Sequence, residues 1–264
     1  MKRKIIITAI FALFILFLLF APRKNILKTD VLHTFEGSSA EHWMGTDNLG
    51  RDVWSLLVAG GVRTLEVVFL SMAISFFAGT ALGMIAAFWG GIIRSVIQFL
   101  ADFTLVVPSF IMAMVFSALF GFSPLTAGVI FGVGNMGEYV NQSFDLAYGL
   151  KKQEFIDAEK VVGLGKIPIL IFHVVPNIYR QLLVFLGNKA GNVTVQYAGL
   201  AFIGLGTDIT NPDWGTLLYQ YRAYLTSYPM LVIYPAAAIA ILTILFHLMF
   251  DSRSGAEEAV TLFD

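Results

Sequence analysis

Apolar runs separated by short polar segments dominate the chain from end to end. They predict six helices, at about residues 5–21, 65–88, 95–120, 125–140, 167–188 and 229–250. Most of these runs approach the length of about 20 residues with which a helix crosses the roughly 30 Å of hydrocarbon in a bilayer. The pattern therefore predicts an all-α membrane protein with about six transmembrane helices.

The first apolar run allows two interpretations. It follows Met1-Lys2-Arg3-Lys4, as the apolar part of a signal peptide does and as a first membrane helix also does. The run ends in bulky residues and is followed by Pro22-Arg23-Lys24, not by the small residues of a cleavage site. We therefore predict that residues 1–21 are kept as an N-terminal transmembrane helix.

Positive charge predicts which polar segments lie in the cytoplasm, because Lys and Arg are enriched on that side. With both termini inside, the cytoplasmic segments carry nine Lys and Arg residues and the opposite segments carry six. We expect an extracytoplasmic loop at 22–60 and a second one at 207–222. The membrane core is expected at 61–250, with a cytoplasmic loop at about 141–166, and a cytoplasmic tail at 251–264.

Composition narrows the chemistry that the chain can perform. It is 57% hydrophobic and 13% charged with a net charge of −1, which offers no basic surface for nucleic acid. It has no cysteine, which excludes disulfides, thiolate metal sites and cysteine nucleophiles. The four histidines lack metal-ligand spacing, so no metal and no cofactor is expected. The only Gly-Lys pair, Gly165-Lys166, precedes Ile167 instead of the Ser or Thr of a phosphate-binding loop, so the sequence contains no nucleotide-binding loop of this kind.

The polar interval 141–166 has a helical pattern of its own. Its charged residues are interleaved with apolar ones, namely Phe155, Ala158, Val162 and Leu164. The pattern predicts a short amphipathic helix, a turn at Gly163 and Gly165, and a helix that re-enters the membrane. From these residues alone, three interpretations stay open: docking of a partner protein, a helix on the membrane surface, or a solvated linker.

Part of this interval resembles the EAA loop of ABC importer permeases. The resemblance rests on Glu154-Phe155-Ile156-Asp157-Ala158-Glu159-Lys160-Val161-Val162-Gly163, followed by Pro176. Asp157 stands where that family has Glu, and Glu159 stands where it has a second Ala. In that family the loop forms coupling helices that sit in a groove of a cytoplasmic ATPase. The resemblance implies a set of ATPase-coupling residues: Glu154, Asp157, Ala158, Glu159, Gly163 and Pro176.

Two further segments look like signatures of the peptide/nickel permeases in the C-subunit branch. The run from His42 to Asp52 is similar to their His-Pro-Leu-Gly-Thr-Asp-x-x-Gly-Arg-Asp string, with Trp43 in place of Pro. The run 200–215 is similar to their Leu-Ser-Phe-Leu-Gly-Leu-Gly and Pro-x-Trp-Gly elements. The matching residues are Gly45, Thr46, Asp47, Gly50, Arg51, Asp52, Gly204, Gly206, Trp214 and Gly215. Because glycines permit tight turns and Asp or Arg can cap and tie a helix, a structural role is favoured over solute contact.

Polar residues within the predicted spans are candidates for the solute pathway: Asp102, Asn135 and Glu138. A charge in mid-bilayer costs at least about 2.5–3.5 kcal/mol, so such residues face protein or water. A structural anchor is favoured for Asp102, whereas pathway lining and interhelical hydrogen bonding stay equally open for Asn135 and Glu138. Glycine pairs spaced by four residues predict close helix packing, and they are Gly79/Gly83, Gly128/Gly132 and Gly187/Gly191.

The resemblance implies a multi-pass permease subunit of an ATP-driven importer in the bacterial cytoplasmic membrane, which works by alternating access and is not itself an enzyme. The implied partners are a second homologous permease, two cytoplasmic ATPases, an extracytoplasmic solute-binding protein and membrane lipid. Short peptides are the first solute class implied, and nickel or a metal–metallophore complex is the alternative. An intramembrane enzyme would need a convergent catalytic set that the spans lack. A passive channel or scaffold would need no ATPase docking.

Overall fold

The computed structural model describes residues 2–206 and 208–250, with side chains from residue 5 onward, and these residues form helices without a β-sheet. The predicted tail at 251–264 lies outside the described residues. The helices, in chain order, are α1 (Lys2–Phe20), α2 (Val53–Trp89), α3 (Gly91–Val106), α4 (Ser109–Phe120), α5 (Pro124–Gly134), α6 (Met136–Lys151), α7 (Glu154–Val161), α8 (Lys166–Phe202), α9 (Trp214–Tyr221) and α10 (Pro229–Phe250). The all-α prediction is therefore confirmed for the described residues.

Three of these helices, α2, α8 and α10, are long and apolar enough to cross a membrane. The bent pair α3 and α4 makes a fourth if it counts as one span. The other two expected spans are not single helices of sufficient length. The apolar part of α1 is the shorter stretch Ile5–Phe20, and the expected helix at 125–140 is divided at Asn135 into α5 and α6.

Several helix ends also differ from the prediction. α2 begins at Val53 and not near residue 65, and α8 continues to Phe202 instead of ending near residue 188. Their wider π-helical turns, Ser75–Gly79 and Ile169–Val174, interrupt neither helix. The expected helix at 95–120 is bent by 88° between α3 and α4. Pro108 lies at this bend, because proline disfavours helical geometry in the residue before it and lacks an N–H donor.

The glycine pairs lie where helices approach each other closely, which confirms the packing prediction. Gly79 and Gly83 of α2 face α6, where a methyl group on Gly83 would collide with the Val140 carbonyl oxygen and the Ser143 hydroxyl. The other two pairs make equivalent contacts: Gly128 and Gly132 with Leu70 and Ile74, and Gly187 and Gly191 with Phe250 and His247. Small residues give membrane helices close van der Waals contact where lipid supplies no hydrophobic drive.

We expect Gly83→Ala to lower the free energy of unfolding by about 1–3 kcal/mol, because the added methyl group has no space between α2 and α6. The matched control is Gly149→Ala in α6, where nothing lies within 4 Å of the added carbon. That change should stabilise the protein by about 0.4–1 kcal/mol, since alanine loses less backbone entropy on folding. Thermal unfolding in detergent measures both, and equal effects of the two substitutions would contradict the close packing.

The buried apolar residues form two clusters. The larger one joins α1, α2, α4, α5, α9, α10 and the second half of α8, with Trp214, Tyr197 and Tyr221 among its fully buried side chains. The smaller one joins the end of α2, α6, α7 and the start of α8. The two clusters therefore lie toward opposite ends of α8, and each supports one group of the motif residues.

Candidate functional site

The helix α7 projects from the smaller cluster and is held there by one side chain. Ile156 is fully buried among residues of α2, α6 and α8. Three other apolar residues near it are uncovered: Phe155 is 43% exposed, Val161 88% and Val162 78%. After the helix, Gly163 has φ +92°, a conformation that only glycine adopts easily. The helix therefore combines a fixed position with an uncovered outer face.

Five of the six expected coupling residues lie on α7 or just after it, and the sixth, Pro176, lies in α8. Glu154, Asp157, Ala158 and Gly163 are exposed, as is Pro176 in the following helix. Glu159 is half-buried and lies 3.7 Å from the His173 ring nitrogen. The Lys160 Nζ donates to Asp157 at 2.7 Å.

The expected apolar face of this segment was only partly identified from the sequence. Phe155 and Ala158 are exposed, and Leu164 packs against the smaller cluster. Ile156, which the pattern did not single out, is the anchor. The loop is also shorter than expected, because residues 141–151 continue α6. Phe144 and Ala147 of that stretch are buried, so helix packing outweighs the polar character of the sequence.

A lysine at the end of α6, three residues before α7, bonds to the end of α2. The Lys151 Nζ donates to the carbonyl oxygens of Ala87 at 2.8 Å and Phe88 at 3.3 Å. These carbonyls belong to the last turn of α2, where a cation is favoured by the unpaired carbonyls and the helix dipole. Lys166 extends over the ring of Trp89 in the same region. Together with the buried Ile156, these contacts connect α7 and the residues on either side of it to α2 and α8.

The first motif, residues 42–52, folds into a tight structure in front of α2, around a buried ion pair. We call residues 22–52 and 208–228 together the cap. The Arg51 Nε donates to Asp47 Oδ2 at 2.8 Å, and neither side chain is more than 3% exposed. The Arg51 guanidinium also donates to the Ile209 carbonyl at 2.7 Å and to the Gln220 side chain at 2.8 Å. The ion pair therefore connects the two halves of the cap.

The remaining residues of the first motif shape the turn and begin α2. The Asp52 carboxylate accepts from the Ser55 N–H and hydroxyl as the N-cap of α2, and it pairs with the His42 ring at 2.9 Å. The Thr46 hydroxyl donates to the His33 carbonyl at 2.6 Å. Gly45 and Gly50 have φ of +77° and +70°, and a side chain at Gly50 would overlap the Asp30 carbonyl.

The second motif, residues 200–215, packs next to the first. Trp214 is fully buried, and its indole N–H donates to the Leu57 carbonyl of α2 at 2.8 Å. A methyl group on Gly215 would lie 2.5 Å from the Ala198 carbonyl oxygen, so α9 crosses α8 at close range. Gly204 and Gly206 have φ of +96° and +66° in the turn after α8. Thr207, where the predicted outer loop begins, lies outside the described residues.

A tyrosine completes the contact between the two motifs. The Tyr221 hydroxyl donates to Asp47 Oδ2 at 3.2 Å. Burial, reinforced by the negative charge of Asp47, raises the pKa of this hydroxyl well above its ordinary value. The Tyr221 hydroxyl therefore stays protonated and keeps its hydrogen bond to Asp47. All ten motif residues thus serve turns, helix caps or buried contacts, either in the cap or in the turn that leads from α8 to it.

The three polar residues expected in the spans do not form one site. Asp102 is exposed on α3. Asn135 is buried between α5 and α6, where its amide donates to the Phe131 carbonyl at 2.8 Å. Glu138 is half-buried and forms an ion pair with Lys189 of α8. The sequence prediction did not include Lys189, because it ended the helix one residue earlier.

The long apolar helices and the projecting α7 define an integral membrane protein, and comparison with known proteins shows its family. The chain belongs to the family of binding-protein-dependent transport system inner membrane components, which it matches over residues 79–253. The resemblance noted from the motifs is thereby confirmed. The chain is an inner-membrane transport subunit and not a catalytic one, and its family works with a binding protein and an ATPase.

Relatives match most of the chain. The dipeptide transport system permease protein DppC of Alkalihalophilus pseudofirmus is 30% identical over 246 residues, which are 92% of this chain and 81% of the relative. The glutathione transport system permease protein GsiD of Pectobacterium atrosepticum is 27% identical over 84% of this chain and 73% of its own length. GsiD of Escherichia coli is 28% identical over 96% of this chain and 82% of its own length.

Proposed function

We propose that the chain is one of two homologous permease subunits in an ABC importer of short peptides, paired with two cytoplasmic ATPases and a solute-binding protein. The relatives reported above are named for transport of a dipeptide and of glutathione, which favours a peptide over nickel as the solute. ATP-driven closure of the ATPases would move α7. Through Ile156, and through Lys151 at the end of the preceding helix α6, that movement would shift α2 and α8 and open the pathway to alternate sides.

The observation that carries this proposal is the uncovered face of α7. A solvated linker does not need the apolar residues Phe155, Val161 and Val162. A helix on a membrane surface is typically rich in Lys and Arg, whereas α7 carries Glu154, Asp157 and Glu159 against one lysine. Acidic side chains are disfavoured at an anionic lipid surface. A groove on a partner protein suits both the apolar and the acidic residues, and this favours docking over the other two interpretations.

The proposed topology follows from α8. This helix has 37 residues, and at 1.5 Å per residue it is about 55 Å long, more than the roughly 30 Å of hydrocarbon. Its ends therefore reach opposite sides of the membrane. Since α7 precedes α8 and α9 follows it, α7 and the cap lie on opposite sides. We propose six spans, with α5 and α6 forming one of them, α7 and both termini in the cytoplasm, and the cap outside.

Co-purification tests the docking surface. The tagged chain is expressed with the ATPases encoded beside it, and Asp157→Arg and Gly163→Arg are compared with the unaltered protein. Both substitutions place a large cation on the proposed docking face, and Gly163→Arg also strains a backbone with φ +92°. We expect the unaltered chain to retain the ATPases and both variants to lose them.

The matched control is Ser38→Arg, which adds the same side chain at an exposed position of the cap. It should retain the ATPases, and all variants should stay monodisperse in detergent. The proposal would be contradicted if Asp157→Arg and Gly163→Arg retained the ATPases, or if the unaltered chain did not bind them. Either result would favour a channel or a scaffold.

A further inference from the structure

One face of α8 carries side-chain amides that nothing in the described structure covers. Asn188, Asn192 and Gln196 are spaced by four residues, so they lie on the same face of the helix. All three are exposed, as is Gly199 one turn further on. We call Asn188, Asn192 and Gln196 the amide stripe. It extends over about 12 Å at 1.5 Å per residue.

The amide stripe cannot face lipid. Asn188 Oδ1 lies 3.0 Å from the His247 ring nitrogen, but Asn192 and Gln196 have no side-chain hydrogen bond to any described residue. An amide without a partner in hydrocarbon loses its hydrogen bonds to water and gains none. The exposed residues of α10 have the opposite chemistry: Ile241 and Ile244 are 47% and 54% exposed and fully apolar. The amide stripe and the isoleucine face of α10 therefore face different surroundings.

Two charged side chains lie beside the amide stripe. Lys189 and Glu138 form their ion pair next to Asn188, and their side chains are 20% and 31% exposed. Charged groups in a membrane domain typically line a water-filled cavity or pair with one another. A pair that stays partly uncovered, next to three uncovered amides, indicates that water reaches this side of α8.

We propose that the amide stripe lines the solute pathway and forms hydrogen bonds with the backbone of a peptide in transit. An amide side chain both donates and accepts, as the peptide backbone does, so the stripe can pair with peptides of any sequence. Being uncharged, it binds weakly enough to release them. This inference rests on the proposed import of peptides, and it names pathway residues that the sequence did not single out.

The absence of cysteine from the chain allows a direct test. Asn192→Cys and Gln196→Cys are made as single-cysteine variants and assembled with the co-expressed partner subunits in proteoliposomes. A charged, water-soluble methanethiosulfonate reagent modifies only a thiolate that water can reach. The matched control is Ile241→Cys on the apolar outer face of α10. We expect both stripe positions to react at least about tenfold faster than the control, because only they contact water.

A second measurement distinguishes the solute pathway from other surfaces that water reaches. Peptide-loaded binding protein with ATP should slow modification of the stripe cysteines, since a peptide in transit covers them, and should leave a cysteine at Ser38 unaffected. Asn192→Leu should lower peptide uptake, and Asn192→Gln should restore most of it, while both variants retain the ATPases.

Two outcomes would overturn the inference while leaving the importer assignment intact. If both stripe cysteines react as slowly as the control with and without ATP, while the ATPases still co-purify, the stripe is buried against the second permease subunit. If they react quickly but peptide and ATP have no effect, water reaches the stripe without solute passing. Loss of the ATPases from the unaltered chain would instead contradict the proposed function.

Discussion

Replacing Arg51 with alanine is expected to lower the free energy of unfolding by about 3–5 kcal/mol, because Asp47 is left as an unpaired buried charge. Both side chains are almost fully buried, so water cannot take the place of the guanidinium. The same change also removes the bonds to Ile209 and Gln220 that join the two halves of the cap. Thermal unfolding in detergent and limited proteolysis of the cap measure the loss.

The matched control is Arg222→Ala, which removes the same side chain from an exposed position of the cap. It should change stability by no more than about 0.5 kcal/mol. Arg51→Lys should recover only part of the loss, because an ammonium group cannot reproduce the planar fork. The double variant Asp47→Ala with Arg51→Ala should lose less than the two single losses together, since the pair is coupled. Equal stability of Arg51→Ala and Arg222→Ala would refute a supporting role for the pair.

The sequence predicted the helical class and the outermost helices well, for a physical reason. Membrane helices satisfy their own backbone hydrogen bonds, so an uninterrupted apolar run such as 229–250 is sufficient to identify one. α10 has the predicted bounds. The glycine pairs were predictable for a similar reason, because a spacing of four residues places them on one helix face whatever the neighbouring helix is.

Helix ends and breaks were less predictable, because they depend on residues that are distant in the sequence. The second half of α8 contains glycines and polar residues that resemble a loop, but Gly187 and Gly191 are where α10 packs against it. Residues 141–151 are polar in sequence, yet α6 continues through them because Phe144 and Ala147 pack into the smaller cluster. Tertiary packing outweighed local composition in both cases.

Contacts of the motif residues differ in the same way: local ones could be predicted from the sequence, and long-range ones could not. Caps such as Asp52 on Ser55 are local and follow from residue type and spacing. The bond from Arg51 to Gln220 joins positions 169 residues apart, and a single sequence gives no signal for it. The anchor Ile156 was missed because its neighbours Phe155 and Val162 are equally apolar, and only the packed structure distinguishes them.

The ion pair between Glu138 of α6 and Lys189 of α8 is the source of the second large expected loss of stability. We expect Lys189→Met to destabilise the assembled membrane domain by about 2.5–3.5 kcal/mol, because it leaves the Glu138 carboxylate unpaired among membrane helices. Glu138→Gln should have a similar effect by leaving the lysine unpaired. The measurements are thermal unfolding in detergent and the yield of folded protein in the membrane. Lys28→Met is the control, since that lysine is exposed in the cap, outside the membrane helices.

The double variant Glu138→Gln with Lys189→Met decides what the pair does. If the pair serves only stability, the double variant should recover most of the stability and most of the peptide uptake, since no unpaired charge is left. If the charges also hold water in the pathway next to the amide stripe, stability should recover and uptake should not. Because both charges stay partly exposed and Lys189 directly follows Asn188 of the stripe, we expect the second result. Recovery of uptake together with stability would show that the pair only joins α6 to α8.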